Sequence, residues 1–238
     1  MKRTLKILLI GAAAACLIAP VISAQELINN GGFESGFAGW TRVDQTGSEG
    51  TWAQQSGSTS PVNSFAVPAP PGGSNAAMTD AQAPGSHILY QDFTVPMTLG
   101  VTTLSFDLFI RNHASAFFSP NTLDFATPAL NQQFRVDIIT TSANPFSVTV
   151  GDVLFTVYQT QPGNALVSGY TTITADLTAL FAAHPGETLR LRFAEVDNVN
   201  FFNVGVENVS LVVPEPTTVS LLVAAAAVLV ARRIRRRS

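Results

Sequence analysis

Between residues 25 and 213 apolar side chains recur at every second position. Phe106, Leu108 and Ile110 alternate with Asp107, Phe109 and Arg111. Phe134, Val136 and Ile138 alternate with Arg135, Asp137 and Ile139, and Leu189, Leu191 and Phe193 with Arg190, Arg192 and Ala194. Successive side chains of an extended chain point to opposite faces, so each segment reads as a strand with one buried face. The same reading extends to 27–29, 39–44, 76–80, 87–95, 153–160, 170–175 and 202–212. Pro84-Gly85, Asn144-Pro145, Pro162-Gly163 and Pro185-Gly186 mark turns between most of them. Only 176–183 reads as helix, of one or two turns. Some ten short strands with almost no helix predict an all-β fold, an antiparallel β-sandwich. Two polar stretches, 45–75 and 112–132, lack the period and read as long loops, with Trp52 and Phe65 in the first and Phe117, Phe118 and Phe125 in the second. Loops of this length either bind something or carry aromatics that cap the ends of the sandwich.

Charge divides the chain into a body and two tips. Eight of the 13 Lys/Arg lie at the termini, leaving 25–213 with five arginines, no lysine and 15 of the 16 acids, a formal charge of −10. Such a body repels a phosphate backbone, which excludes nucleic acid as a partner. It is also too rich in Phe, Val, Leu and Ile to be a disordered acidic segment.

Residues 1–24 combine a basic start (Lys2, Arg3, Lys6), an apolar run and the small pair Ser23-Ala24, the anatomy of a secretory signal peptide cleaved after Ala24 by signal peptidase. A retained anchor helix and lipidation at Cys16 are the alternatives. On the favoured reading the exported protein has no cysteine and no disulfide. At the other end, residues 214–238 hold Pro214-Glu215-Pro216, an apolar stretch over 217–231, and Arg232, Arg233, Arg235, Arg236 and Arg237. Fifteen helical residues reach about 22 Å, short of the roughly 30 Å hydrocarbon layer, and snorkelling arginines extend that reach. The arginines favour the cytoplasmic side, which places the acidic body outside.

This tail resembles the PEP-CTERM sorting signal of exopolysaccharide-producing Gram-negative bacteria. The resemblance implies an inner-membrane precursor with its domain in the periplasm. An exosortase-type transpeptidase would remove the tail, and the product would reside on the cell surface or in the extracellular matrix.

The body carries a second resemblance. Asn29-Asn30-Gly31-Gly32-Phe33-Glu34 with Gly39-Trp40, Leu89 to Val95, Ala175 to Ala179, Gly186 to Phe193 and the final Gly205 to Leu211 resemble galactose-binding-like jelly rolls, which include carbohydrate-binding modules. The implied fold is an antiparallel jelly-roll β-sandwich over 25–213, flanked by the signal peptide and a C-terminal transmembrane helix. That family often holds one structural Ca²⁺, and the matching positions are Glu34 and Glu207, the second being Glu where Asp is usual. Oxygen ligands suit calcium, whereas His87, His113 and His184 stand isolated in the sequence and offer zinc no cluster.

Candidate sugar contacts are Trp52 in the polar loop, Tyr90, and a pair of arginines, Arg190 and Arg192, on one strand face. Those arginines either line an anionic groove with Arg135 or pair with acids such as Asp137. No nucleophile elbow or His–acid pair at a meaningful spacing occurs, so no enzyme is expected. Asp124 with Asp197 is the pair a glycan hydrolase would use. Two functions remain: a structural surface protein of the polysaccharide matrix and a true carbohydrate-binding module. An exposed aromatic beside polar groups in a groove favours the second.

Overall fold

In the structure, a computed structural model that describes residues 24–97 and 100–214, the period-two segments become strands of two facing sheets. Residues 1–23 of the predicted signal peptide and the sorting tail beyond Pro214 lie outside the described residues. The first sheet contains β3 (Thr51–Ser56), β4 (Asn75–Asp80), β11 (Phe202–Pro214), β6 (Thr103–Asn112) and β9 (Thr171–Asp176) in that order, with β1 (Ala24–Glu26) beside the C-terminal half of β11. The second runs β2 (Thr41–Asp44), β5 (Gly85–Thr94), β10 (Thr188–Asp197), β7 (Gln132–Thr140) and β8 (Val153–Gln159). Every strand pairing is antiparallel. Consecutive strands repeatedly cross between the sheets, giving the expected jelly-roll sandwich. The one helix among the described residues, α1 (Thr178–Ala183), buries Phe181 against Phe93, with ring centroids 5.5 Å apart. Among the described residues no helix is long and apolar enough to cross a membrane.

The inward parity is the one the alternation predicts. Leu189, Leu191 and Phe193 of β10 meet Phe106 and Leu108 of β6 across the interior, Phe106 and Phe193 in an edge-on contact at 5.3 Å. Each such ring, removed from water, contributes about 1.5–3 kcal/mol. The outward faces are covered as well. Leu123, Phe125, Phe146 and Val148, from the connections before and after β7, lie over Ile88, Ala194 and Val196 of the second sheet. On the first, Val67 and Tyr170 cover Met78 and Phe109. Cover on both faces explains why β10 is buried at nine of its ten positions.

Two elements depart from the sequence reading. The 45–75 stretch, read as loop, contains β3, which pairs with β4 along its whole length. As an edge strand it needs backbone hydrogen bonds and one anchor, Trp52, so its Gln and Ser residues hide it from a periodicity search. The first strand lies at Ala24–Glu26, before the expected 27–29.

Candidate functional site

The edge strands β2 and β3, one from each sheet, run side by side and leave an open groove of about 710 Å³ between them, lined by Phe37, Trp40, Thr41, Arg42, Asp44, Gly50 and Thr51. The opening turn folds so that Phe33 and Trp40 anchor it in the core, with centroids 5.3 Å apart, while Phe37 stays half-buried at the groove wall. The Arg42 guanidinium lies 4.6 Å from the Phe37 ring centroid and donates to the Trp52 carbonyl at 2.8 Å. Asp44 keeps 35% of its side chain exposed. The groove thus combines an aromatic wall with a fixed cation, a carboxylate and two hydroxyls.

Behind Asp44 the structure overturns the expectation of isolated histidines. His87 lies on the inward face of β5, 1% exposed, with Nδ1 2.7 Å from Asp44 Oδ1. Its register partner on β10 is Glu195, and Asp197 follows two positions on. Both acids are buried, at 1% and 4% exposure. The ligand atoms of His87, Glu195 and Asp197 lie within 4.8 Å of one another, close enough for one metal ion to draw together. Asp197 accepts the Gly85 N–H at 2.8 Å, while His87 Nε2 and Glu195 Oε1 are buried without a hydrogen-bond partner. Burial, then the charges of Asp197 and Asp44, push the Glu195 carboxyl well up. Burial, then the charges of Glu49 and Asp80, lifts Asp197 to about 8 against the hydrogen bonds it accepts. The sequence held a usable signal: residues 195 and 197 continue the inward parity of 189, 191 and 193, so two acids had to face the interior.

The two calcium candidates both bond to the loop 72–75. Glu34 accepts the Ser74 and Asn75 N–H groups at 2.7 and 2.9 Å and the Asn75 side-chain amide at 3.3 Å, and Glu207 accepts the Gly72 N–H at 3.2 Å. A Cβ on Gly73 would overlap the Glu34 carboxylate, so the loop reaches it only as glycine. Backbone hydrogen bonds hold the exposed Glu34 carboxyl below its usual range. Burial, then the nearby charges of Asp107 and Glu34, raise Glu207 to about 7.

The predicted sugar contacts fare differently. Trp52 is 0% exposed, donates to the His87 carbonyl at 3.2 Å and packs on Phe134; it belongs to the core and offers no ligand surface. Arg192 is also 0% exposed, bound to Asp137 at 2.5 Å and to the carbonyls of Pro145 and Ser147, so burial keeps it from an anionic ligand in solution. Arg190 forms a two-point pair with Asp92 at 2.6 and 2.9 Å and lies 3.8 Å from the Tyr90 ring centroid, so its guanidinium is held by Asp92 and Tyr90. Asp124 accepts from Gln45 and the Ala126 N–H, whereas Asp197 groups with Glu195 and His87.

No family model matches the chain, and no curated protein matches it. Among solved structures, TmCBM61 in complex with β-1,4-galactotriose is 10% identical at a TM-score of 0.47, covering 79% of this chain and 97% of that one. A cleaved adhesin domain of Lys-gingipain from Porphyromonas gingivalis is 14% identical at 0.47, covering 82% of this chain and 100% of the other. A Stig cyclase, Fisc, from Fischerella sp. TAU is 18% identical at 0.45, covering 82% and 100%.

Proposed function

We propose that this chain is an exported, non-catalytic jelly-roll protein that binds polysaccharide in the groove between β2 and β3. The groove itself carries the reading. Its volume falls in the roughly 300–1,000 Å³ range of small-ligand sites, and it sets an aromatic ring beside polar groups that can orient hydroxyls. A pyranose presents the matching surface, an apolar face edged by hydroxyls. The formal charge of −10 on residues 25–213 favours a neutral glycan over an anionic one. Export by the 1–24 segment and sorting through Pro214-Glu215-Pro216 and the arginine tail belong to the same proposal, and so does a calcium ion between Glu34 and Glu207. They rest on the sequence resemblances and, for calcium, on one loop, 72–75, bonding to both carboxylates.

Full-length protein is applied to a glycan array and to affinity gels cast with neutral polysaccharides. Retention is expected, with Phe37→Ala weakening it at least about tenfold, the equivalent of about 1.4 kcal/mol. Wild-type protein that no glycan retains, or a Phe37→Ala variant that binds unchanged, would refute the groove. Fractionation of cells should find the full-length precursor in the membrane.

A further inference from the structure

We propose that His87 Nε2, Glu195 and Asp197 bind one divalent transition-metal ion, zinc by the donor set, tying β5 to β10 inside the sandwich. This site lies behind the glycan groove, with Asp44 common to both, and is separate from the Glu34–Glu207 pair.

Four observations point to the ion. The first is charge: all five arginines of the domain are committed elsewhere. Arg42 and Arg111 donate to the carbonyls of Trp52 and Ala66, Arg135 and Arg192 bind Asp137, and Arg190 binds Asp92. With no lysine in the domain, no lysine or arginine is left to offset the two buried acids, and buried carboxylates need a partner of opposite charge or a proton. The second is direction. His87 Nε2 and Glu195 Oε1 are buried, unpartnered and aimed into the same space. The third is room. A Cβ at Gly85 would overlap the His87 imidazole, so this strand position accommodates the ring only as glycine. Asp197 also lines a cavity of about 210 Å³ with Gln82, Pro84, Asn200 and Phe201, a route for the ion and a place for a water ligand.

The fourth observation chooses the metal. His87 Nδ1 lies 2.7 Å from Asp44 Oδ1, a contact that favours the proton on Nδ1 and makes Nε2 the ligating nitrogen of the neutral ring. A carboxylate behind a ligating imidazole is the usual outer partner of a zinc-bound histidine. Imidazole with two carboxylates suits zinc and its neighbours, whereas calcium takes oxygen ligands. Ligand atoms in a tetrahedral zinc site stand about 3.3–3.6 Å apart, so the present spacing closes by about 1 Å of side-chain movement.

Full-length protein stripped with chelator is titrated with Co²⁺ and then Zn²⁺. One equivalent of Co²⁺ should bind with the intense visible bands of a four- or five-coordinate site, Zn²⁺ should displace it, and the loaded protein should melt higher. Glu195→Gln and Asp197→Asn, which keep side-chain shape, should each weaken the site at least about a hundredfold. Asp44→Asn should weaken it about 10–100-fold, the usual effect of losing the carboxylate behind a ligating imidazole. No uptake by wild type overturns the proposal and leaves a protonated Glu195 donating to His87 Nε2. Cobalt retained by both carboxamide variants lies elsewhere, at Glu34 and Glu207 for example, and also overturns it. Should the variants fail to fold, the wild-type spectrum decides, since weak bands of an all-oxygen octahedral ion contradict an imidazole-bound site.

Discussion

At the residue scale, Asp137 shows how an arginine-rich strand face becomes structural. It is 0% exposed, and its two oxygens accept from Arg135 at 2.7 and 2.7 Å, from Thr156 at 2.8 Å and from Arg192 at 2.5 Å. Arg192, also 0% exposed, spends its other terminal nitrogen on the carbonyls of Pro145 and Ser147. Desolvation lowers the Arg192 pKa, and the Asp137 carboxylate works against that shift. Asp137→Ala leaves two buried guanidinium groups without their anion, and urea unfolding should register a loss of about 3–5 kcal/mol. Replacing Arg135, Asp137 and Arg192 together by apolar side chains of similar volume should cost far less, because no charge is then stranded.

At the element scale, the opening turn and the last strand form one unit. β11 changes register between Glu207 and Ser210, with Asn208 in the left-handed region at φ 53°. This bulge turns the Val209 carbonyl toward Gly31, while the Val209 N–H donates to the Gly31 carbonyl at 3.0 Å. A Cβ on Gly31 would run into the Val209 backbone, which no rotamer change relieves. Gly31→Ala should therefore cost at least about 2 kcal/mol. In a domain of this size that lowers the melting temperature by about 4–8 °C. Gly169→Ala, where nothing lies within 4 Å of the added carbon, should melt as wild type does.

For the whole molecule, calcium on Glu34 and Glu207 would join the start of the domain to its final strand, and a ligand held only by the folded state raises stability by mass action. Chelator should lower the melting temperature of wild-type protein, and millimolar calcium should restore it. Glu34→Gln should abolish most of that difference, because a charged ligand is lost while side-chain size is kept. Superimposed wild-type curves with chelator and with calcium would remove the ion from the account. Because imidazole and thiolate are missing from that pair, calcium and zinc dependence should separate: Glu195→Gln removes the cobalt signal and leaves the calcium shift.

Strand parity was legible in the sequence because it is a local property of extended backbone. Residues two apart share a face whatever they pair with, so the inward set 189, 191 and 193, the sandwich class and the acidic character of the domain needed no coordinates. The inward placement of Glu195 and Asp197 followed from the same parity. What they meet did not, because cross-strand neighbours depend on register between distant segments: Gly85 and Asp197, hydrogen-bonded in the fold, are 112 positions apart. Only the tertiary structure brought His87 to those acids, gave Arg192 to Asp137 and turned Trp52 from a loop aromatic into a core residue. The β2–β3 groove was hidden for the same reason. It is the space left where two edge strands from different sheets run side by side, and neither strand carries a pattern that announces the other.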